Sequence, residues 1–241
     1  MLKKNVGLIG IGNWGKILKD KLSTNSNLIF FANSKTKYEK KLKNIDWIFV
    51  ATPDKTHFKL VKKFLLKKIN VFCEKPLTLK SKQSIELFKI AKKNKVKLYV
   101  DDIQIFLKKK IILKKKNYIL RKKKGLGKAE YLLYRFAYHD FYFLYDYLKK
   151  RKIKKIDIIN KDKELKFKLL LKNRYEFIFH YSLNHHKKIH KINNYNLITK
   201  KDLLNDMIKK LLNDKLNYEK NQKRSLFANH LIDKINLKLK K

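Results

Sequence analysis

The chain has 241 residues, enough for one large domain or two small ones, and 44% of them are hydrophobic, so it can bury a core. Its net charge is +43, from 63 basic and 20 acidic residues, and nearly all of the positive charge is lysine. No run of about 18 apolar residues occurs, which excludes a helical membrane span. The single cysteine, Cys73, excludes an internal disulfide and fits a reducing, cytoplasmic compartment.

The opening MLKKNVGLIG lacks a signal-peptide layout, because its short apolar run leads directly into glycines. Val6–Ile9 predicts a buried strand that breaks into Gly10, Gly12 and Gly15, a G-x-G-x-x-G followed by a helix from Gly15 to Leu22. Gly10 permits the tight turn, Gly12 lets a pyrophosphate approach the backbone, and Gly15 lets the helix pack on the strand. The phosphate of a dinucleotide then rests on the N–H groups of a helix N-terminus. Leu28–Ala32 predicts a second buried strand, ending at Asn33, Ser34 and Lys35. NAD-using folds often carry an acid there, which would repel a 2′-phosphate. Asn33, Ser34 and Lys35 would instead donate to one, so NADP is favoured over NAD, although Lys35 also follows the general lysine bias. Trp47–Ala51 is a third strand, Phe58–Leu66 a helix, Asn70–Cys73 a fourth strand, and Ser81–Ala91 a helix with Ser81 as N-cap. Lys97–Val100 is a fifth strand. This alternation predicts an α/β Rossmann domain over residues 1–102 with a doubly wound parallel sheet.

The pattern changes after Asp102. A helix is expected over about Gln104–Lys123, with Ile111, Ile112, Leu113, Ile119 and Leu120 turned inward from the basic tract Lys108–Lys124. Gly125 and Gly127 mark a break. Ala129–Phe136 reads as a strand and His139–Leu148 as a buried aromatic helix. Ile153–Ile159, Leu165–Leu171, Tyr175–Tyr181 and Lys188–Ile192 are hairpin-spaced strands, and helices over Asp202–Leu212 and Ser225–Ile235 close the chain. Residues 103–241 are therefore expected to form an α+β domain with an open, mainly antiparallel sheet. The charge alone invites a nucleic-acid partner. Against it, arginine occurs only at Arg121, Arg135, Arg151, Arg174 and Arg224, and the lysines are spread over the whole chain. Lys, Ile and Asn share A/T-rich codons, so base bias accounts for this composition, and no specific nucleic acid is expected.

Several segments together resemble the Gfo/Idh/MocA oxidoreductases, the family of glucose–fructose oxidoreductase and inositol dehydrogenase. They are GIGNWGK at Gly10–Lys16, VATPDKTHFKLVKKFL at Val50–Leu65, NVFCEKPLTL at Asn70–Leu79, YVDDIQIF at Tyr99–Phe106 and AYHDFYFLYDYL at Ala137–Leu148. The resemblance is dense over residues 1–106 and sparse beyond. It implies hydride transfer between a nicotinamide and a sugar, cyclitol or nucleotide-sugar hydroxyl, and a homo-oligomer. It implies cofactor contacts from Gly10, Gly12, Asn13, Trp14, Gly15, Asn33, Ser34, Lys35, Thr52, Pro53, His57, Glu74 and Lys75. Lys75, in the E-K-P signature after a strand, would polarise the reacting oxygen and stabilise developing negative charge. The bland alternative is one more surface lysine. His139 would exchange the proton, since an imidazole titrates near neutrality, or would be a satisfied histidine of an aromatic helix.

Two departures stand out. Many members carry an acid four residues before this histidine, where this chain has Arg135, and the usual excursion before the histidine is nearly absent between Phe136 and His139. They motivate an alternative: a dinucleotide-binding sensor or subunit without catalysis. His185, His186 and His190 have no clustered carboxylate or cysteine in the sequence, so no metal is expected.

Overall fold

In the computed structural model, which describes residues 3–125, 129–161 and 164–240, the first strand β1 (Asn5–Ile9) is paired on both sides. It lies parallel to β2 (Asn27–Ala32) on one side and β3 (Trp47–Val50) on the other. β4 (Asn70–Cys73) and β5 (Leu98–Val100) follow outward from β3, so the sheet order is β2-β1-β3-β4-β5, all parallel. β3 is buried at every position, as a strand covered on both faces should be. The helices α1 (Asn13–Asn25), α2 (Asp54–Leu66) and α3 (Ser81–Lys93) alternate with the strands. The N-cap of α3 is Lys80, one residue earlier than expected, and Ser81 is its first residue.

The chain divides into two compact units. One is Met1–Phe106 with Asp202–Asn229, and the other is Leu107–Lys201 with His230–Lys241. This differs from a single cut after Asp102. The amphipathic helix α7 (Leu203–Leu212) places Leu204, Met207, Ile208 and Leu211 in one core cluster with Val6, Leu8, Leu18 and Phe49. Asp202 caps α7 by accepting from Asn205 N at 3.1 Å. The first part of α8 (Tyr218–Leu239) belongs to the first unit as well. Asn221 there accepts from Val100 N at 2.9 Å and donates to Val100 O at 2.8 Å, which satisfies the open edge of β5.

The second unit carries a six-stranded mixed sheet, β11-β10-β6-β9-β8-β7. β7 (Ile153–Asn160), β8 (Glu164–Leu171) and β9 (Glu176–Ser182) form an antiparallel meander. β6 (Lys116–Lys124) runs parallel to β9 and antiparallel to β10 (Asn184–Ile192), which pairs with β11 (Tyr195–Asn196). On β8, Leu165, Phe167, Leu169 and Leu171 alternate inward.

Two expectations are overturned here. The tract expected as a helix from Gln104 to Lys123 is a 3₁₀ turn (Ile103–Leu107), a segment without regular secondary structure and strand β6. Of its five residues expected inward, only Ile119 is buried, and Ile112 is exposed. Ala129–Phe136, expected as a strand, begins with α4 (Ala129–Leu132) and continues into a π-helical turn (Leu133–Ala137). Leu132, Leu133, Phe136 and Ala137 are buried, and this spacing is helical. The aromatic run follows as α5 (Tyr138–Phe143) and α6 (Tyr145–Leu148). The break expected at Gly127 lies outside the described residues.

Candidate functional site

In the first unit the candidate residues gather at the carboxyl ends of β1 to β4, around the point where strand order reverses beside β1. Gly10 leaves β1 at φ +100°, and its N–H donates to Ala32 O at 2.8 Å. A Cβ on Gly10 would lie 2.4 Å from Ala51 O, and one on Gly15 would lie 2.1 Å from Gly10 O. Both glycines are therefore demanded by the fold itself. Gly12 differs: a Cβ there would meet nothing within 4 Å. Gly12 is also the N-cap of α1, and no side chain caps the helix there. An uncapped helix start with open space beside it suits an anion, and Gly12, Asn13 and Trp14 fit the diphosphate of a dinucleotide.

Asn33, Ser34 and Lys35 follow β2 and are exposed. Asn33 Oδ1 accepts from Lys35 N and from Thr36 Oγ1, both at 2.9 Å, which closes a turn free of carboxylates. Thr52 and Pro53 make the turn into α2, with Pro53 as its N-cap and Thr56 Oγ1 2.6 Å from Thr52 Oγ1. His57 is entirely buried. Its Nδ1 lies 2.7 Å from Pro76 O and its Nε2 2.8 Å from Thr52 O. The ring is thus a strut between the β3–α2 turn and the Glu74-Lys75-Pro76 loop.

Lys75 is half-buried and joined to Pro76 by a cis peptide bond. Glu74, beside it, is buried and accepts a hydrogen bond from Trp14 Nε1, so the glycine loop is tied to the end of β4. Glu74 and Asp101 each follow a strand end, Cys73 and Val100, that is paired in the sheet, and Asp101 Oδ1 accepts from Ile103 N at 3.1 Å. Burial, and then the Asp101 carboxyl, push Glu74 well above the usual carboxylate range. Burial raises Asp101 too, and the Lys75 charge opposes the rise on both acids. Asp102 is fully buried, receives a 2.5 Å hydrogen bond from Tyr99 Oη, and lies 3.7 Å from the Arg224 guanidinium of α8. Burial lifts it to about 7 even though Tyr99 and Arg224 pull it down. Asp101, Asp102 and Arg224 were not singled out from the sequence. The one signal was the acid doublet closing an apolar strand.

The second unit holds His139, buried on α5, and Arg135 on the π-helical turn, with its Nη1 3.3 Å from Tyr131 Oη. The neighbouring Asp140 faces the sheet. His190 Nε2 lies 2.7 Å from its Oδ1, Tyr181 Oη donates to Oδ2 at 2.9 Å, and Arg121 Nη1 is 3.8 Å away. Burial would raise Asp140, but His190, Arg121 and Tyr181 together hold it below the ordinary carboxylate range. This engages one of the three histidines weighed as metal ligands, while His185 and His186 stack on each other. Among the described residues no three metal-ligating side chains converge.

A glycine turn at the switch point of a doubly wound sheet, opening an uncapped helix, defines a dinucleotide-binding Rossmann protein. Residues 21–102 match the GFO_IDH_MocA family model, described as "Oxidoreductase family, NAD-binding Rossmann fold". The whole chain is similar in fold to three solved proteins. UDP-N-acetylglucosamine 3-dehydrogenase from Acidithiobacillus ferrooxidans superposes with a TM-score of 0.82 at 14% identity, covering 98% of each chain. The dehydrogenase MviM from Clostridium difficile gives 0.78 at 15% identity, covering 98% of this chain and 99% of that one. GenD2 from gentamicin A biosynthesis, solved in complex with NAD, gives 0.77 at 11% identity, covering 97% and 93%. At these identities the likeness concerns the fold. No curated protein matches the chain in sequence. Among the described residues no helix is long and apolar enough to cross a membrane.

Proposed function

We propose that the chain is an NAD(P)-dependent oxidoreductase of CH–OH groups, acting on a sugar, cyclitol or nucleotide-sugar. The carrying observation is the joining of two motifs in one unit: the Gly10–Gly15 loop with its open space at Gly12, and Lys75 on a loop bonded to that glycine loop through Trp14 and Glu74. A bound nicotinamide supplies the hydride acceptor or donor. Gly12, Asn13 and Trp14 hold its diphosphate, and Asn33, Ser34 and Lys35 meet its adenosine ribose. The absence of an acid among those three supports NADP over NAD. Lys75 donates to the reacting oxygen, lowers the pKa of an alcohol there and stabilises the negative charge that grows on it. His139 exchanges the proton with solvent or substrate. The protein works in the cytoplasm as a homo-oligomer, with no specific nucleic-acid partner.

A second reading, a dinucleotide-binding protein without turnover, is favoured by Arg135 standing where an acid would partner His139. One experiment separates the two. NADPH and NADH are titrated by nicotinamide fluorescence, and Lys75→Ala is then assayed on any substrate found in a polyol and sugar screen. Cofactor binding with turnover lost about 10²–10³-fold in the variant is expected, on the scale of removing one oxyanion donor. No binding of either dinucleotide would sink both readings, and binding without turnover of any polyol would leave the second.

A further inference from the structure

Arg121 of β6 lies in register with Tyr181 of β9 on one side and His190 of β10 on the other, so the three residues form one rung across three adjacent strands. Residues opposite one another in neighbouring strands project to the same face of the sheet. On that face all three meet a single side chain, the fully buried Asp140 of α5. His190 Nε2 stands 2.7 Å from Asp140 Oδ1, Tyr181 Oη donates to Oδ2 at 2.9 Å, and Arg121 Nη1 is 3.8 Å from Oδ1. Arg121 Nη1 also donates to Phe136 O at 3.3 Å, and its guanidinium lies 5.1 Å from the centre of the Phe136 ring. One guanidinium therefore reaches the helical segment at Phe136 and at Asp140, which bracket His139 in sequence.

The backbone between those contacts is wound unusually. Tyr138 N donates to Leu133 O, five residues back, where an α-helix would use a carbonyl four back. The extra residue turns everything after it by about 100° relative to an unbroken α-helix, the angle of one residue at 3.6 per turn.

We propose that the Arg121–Tyr181–His190 rung grips Asp140 and thereby fixes the rotation of α5 about its axis, and with it the direction of His139, so that Arg121 and Asp140 are positioning residues for the proton exchange. The use of this grip in turnover rests on the role given to His139 under the proposed function. His139 and Asp140 are consecutive in α5, so holding Asp140 against the rung leaves the His139 side chain one direction of departure, about 100° round the helix. Neither Arg121 nor Asp140 touches the substrate in this scheme. Burial opposes the charge on Asp140, and His190, Arg121 and Tyr181 outweigh it. A buried ion pair adds little net stability over well-packed apolar side chains, and what it supplies here is a single setting of the helix.

The test uses the full chain with isotope-labelled histidine rings, followed by NMR without cofactor. The His139 ring signals are those lost in His139→Gln. Arg121→Met keeps an apolar stem over Phe136 and removes both polar contacts, and it is expected to shift the His139 signals. Asn117→Ala removes a buried side chain of the same strand that bonds Lys114, Glu176 and Asn193 instead, and it should leave them in place. Unmoved His139 signals in a folded Arg121→Met overturn the grip. Should that variant fail to fold, Tyr181→Phe combined with His190→Leu strips both hydrogen bonds from Asp140, and unmoved signals there overturn it equally. In turnover, misplacing a reacting group by about 1 Å costs on the order of 10²-fold, so kcat should fall by about 10–10²-fold in Arg121→Met with the Kd of the dinucleotide unchanged. Arg121→Met should add no further loss in a His139→Gln background, because residues that work as a unit are not additive. Losses that multiply in the double variant overturn the positioning role. Failure of the underlying reading looks different: His139→Gln would keep turnover while Arg121→Met still moved the ring signals.

Discussion

Asp102 is the residue whose burial has the plainest thermodynamic consequence. It is fully inside, its Oδ2 makes no hydrogen bond, and its carboxyl titrates at about 7 in the folded chain against an ordinary 3.8. A folded-state value above the unfolded one means that the native state binds the proton more tightly. The stability this confers is complete below pH 3.8 and is lost progressively as pH rises to about 7. A span of about three pH units at 1.36 kcal/mol each corresponds to roughly 4 kcal/mol. Asp102→Asn keeps an oxygen for Tyr99 Oη and cannot titrate. Urea unfolding of both proteins should therefore be compared at several values between pH 4 and 8. Trp14 and Trp47 both lie in the first unit, so tryptophan emission reports on that unit. The stability of the parent relative to the variant should fall by up to about 4 kcal/mol across the window, whatever its absolute value. Removing the guanidinium in Arg224→Met takes away a group that lowers Asp102, so it should push the window to higher pH. A difference between parent and Asp102→Asn that is flat with pH would refute the assignment of a buried, proton-binding carboxyl.

The glycine loop makes a paired prediction. Gly12→Ala should fold with stability within about 0.5 kcal/mol of the parent, because its Cβ meets nothing, yet dinucleotide affinity measured by nicotinamide fluorescence should fall at least tenfold. Gly15→Ala should instead destabilise by roughly 1–3 kcal/mol, as its Cβ would stand 2.1 Å from Gly10 O, and thermal denaturation reads that directly. Equal stability losses in the two variants would contradict the division of roles. Lys35→Asp should turn cofactor preference toward NADH by placing a carboxylate where a 2′-phosphate would lie, and an unchanged NADPH-to-NADH affinity ratio would remove Asn33, Ser34 and Lys35 from cofactor choice.

What could be read from the sequence follows the range of the interactions involved. Gly10, Gly12, Gly15 and Lys75 were legible because their chemistry is local, and the flanking strands were legible because β1 and β3 are short apolar runs closed by glycine or a turn. Strand β6 was not. Its period of two survives only in Lys116 to Ile119, where Asn117 and Ile119 are buried while Lys116 and Tyr118 are exposed. Beyond that, lysine stems half-cover the face and blur the alternation. The π-helical turn was hidden for the opposite reason: Leu132, Leu133, Phe136 and Ala137 sit among aromatics that also favour strands. The placing of Glu74 and Asp101 at neighbouring strand ends could not be read at all, since 27 positions separate them and only the β4–β5 pairing brings those ends together.

The charge that first suggested nucleic acid gains a different meaning from where the few acids lie. Acids are almost never fully buried unless something holds them there. In a chain with 20 acids against 63 bases, a surface carboxylate would find cations anywhere, so no location is special for it. Yet Glu74, Asp101, Asp102 and Asp140 are all inside. Glu74 precedes Lys75 after β4, Asp101 and Asp102 follow β5, and Asp140 follows His139 in sequence. Burial costs each of them hydration that the exposed lysines cannot return through screened, long-range attraction. What retains them is specific and close: the Trp14 indole, Tyr99, Tyr181, His190 and the guanidiniums of Arg121 and Arg224. Two of only five arginines are spent on these acids. The lysine-rich composition thus leaves each of these four buried acids with its own close partners in the interior.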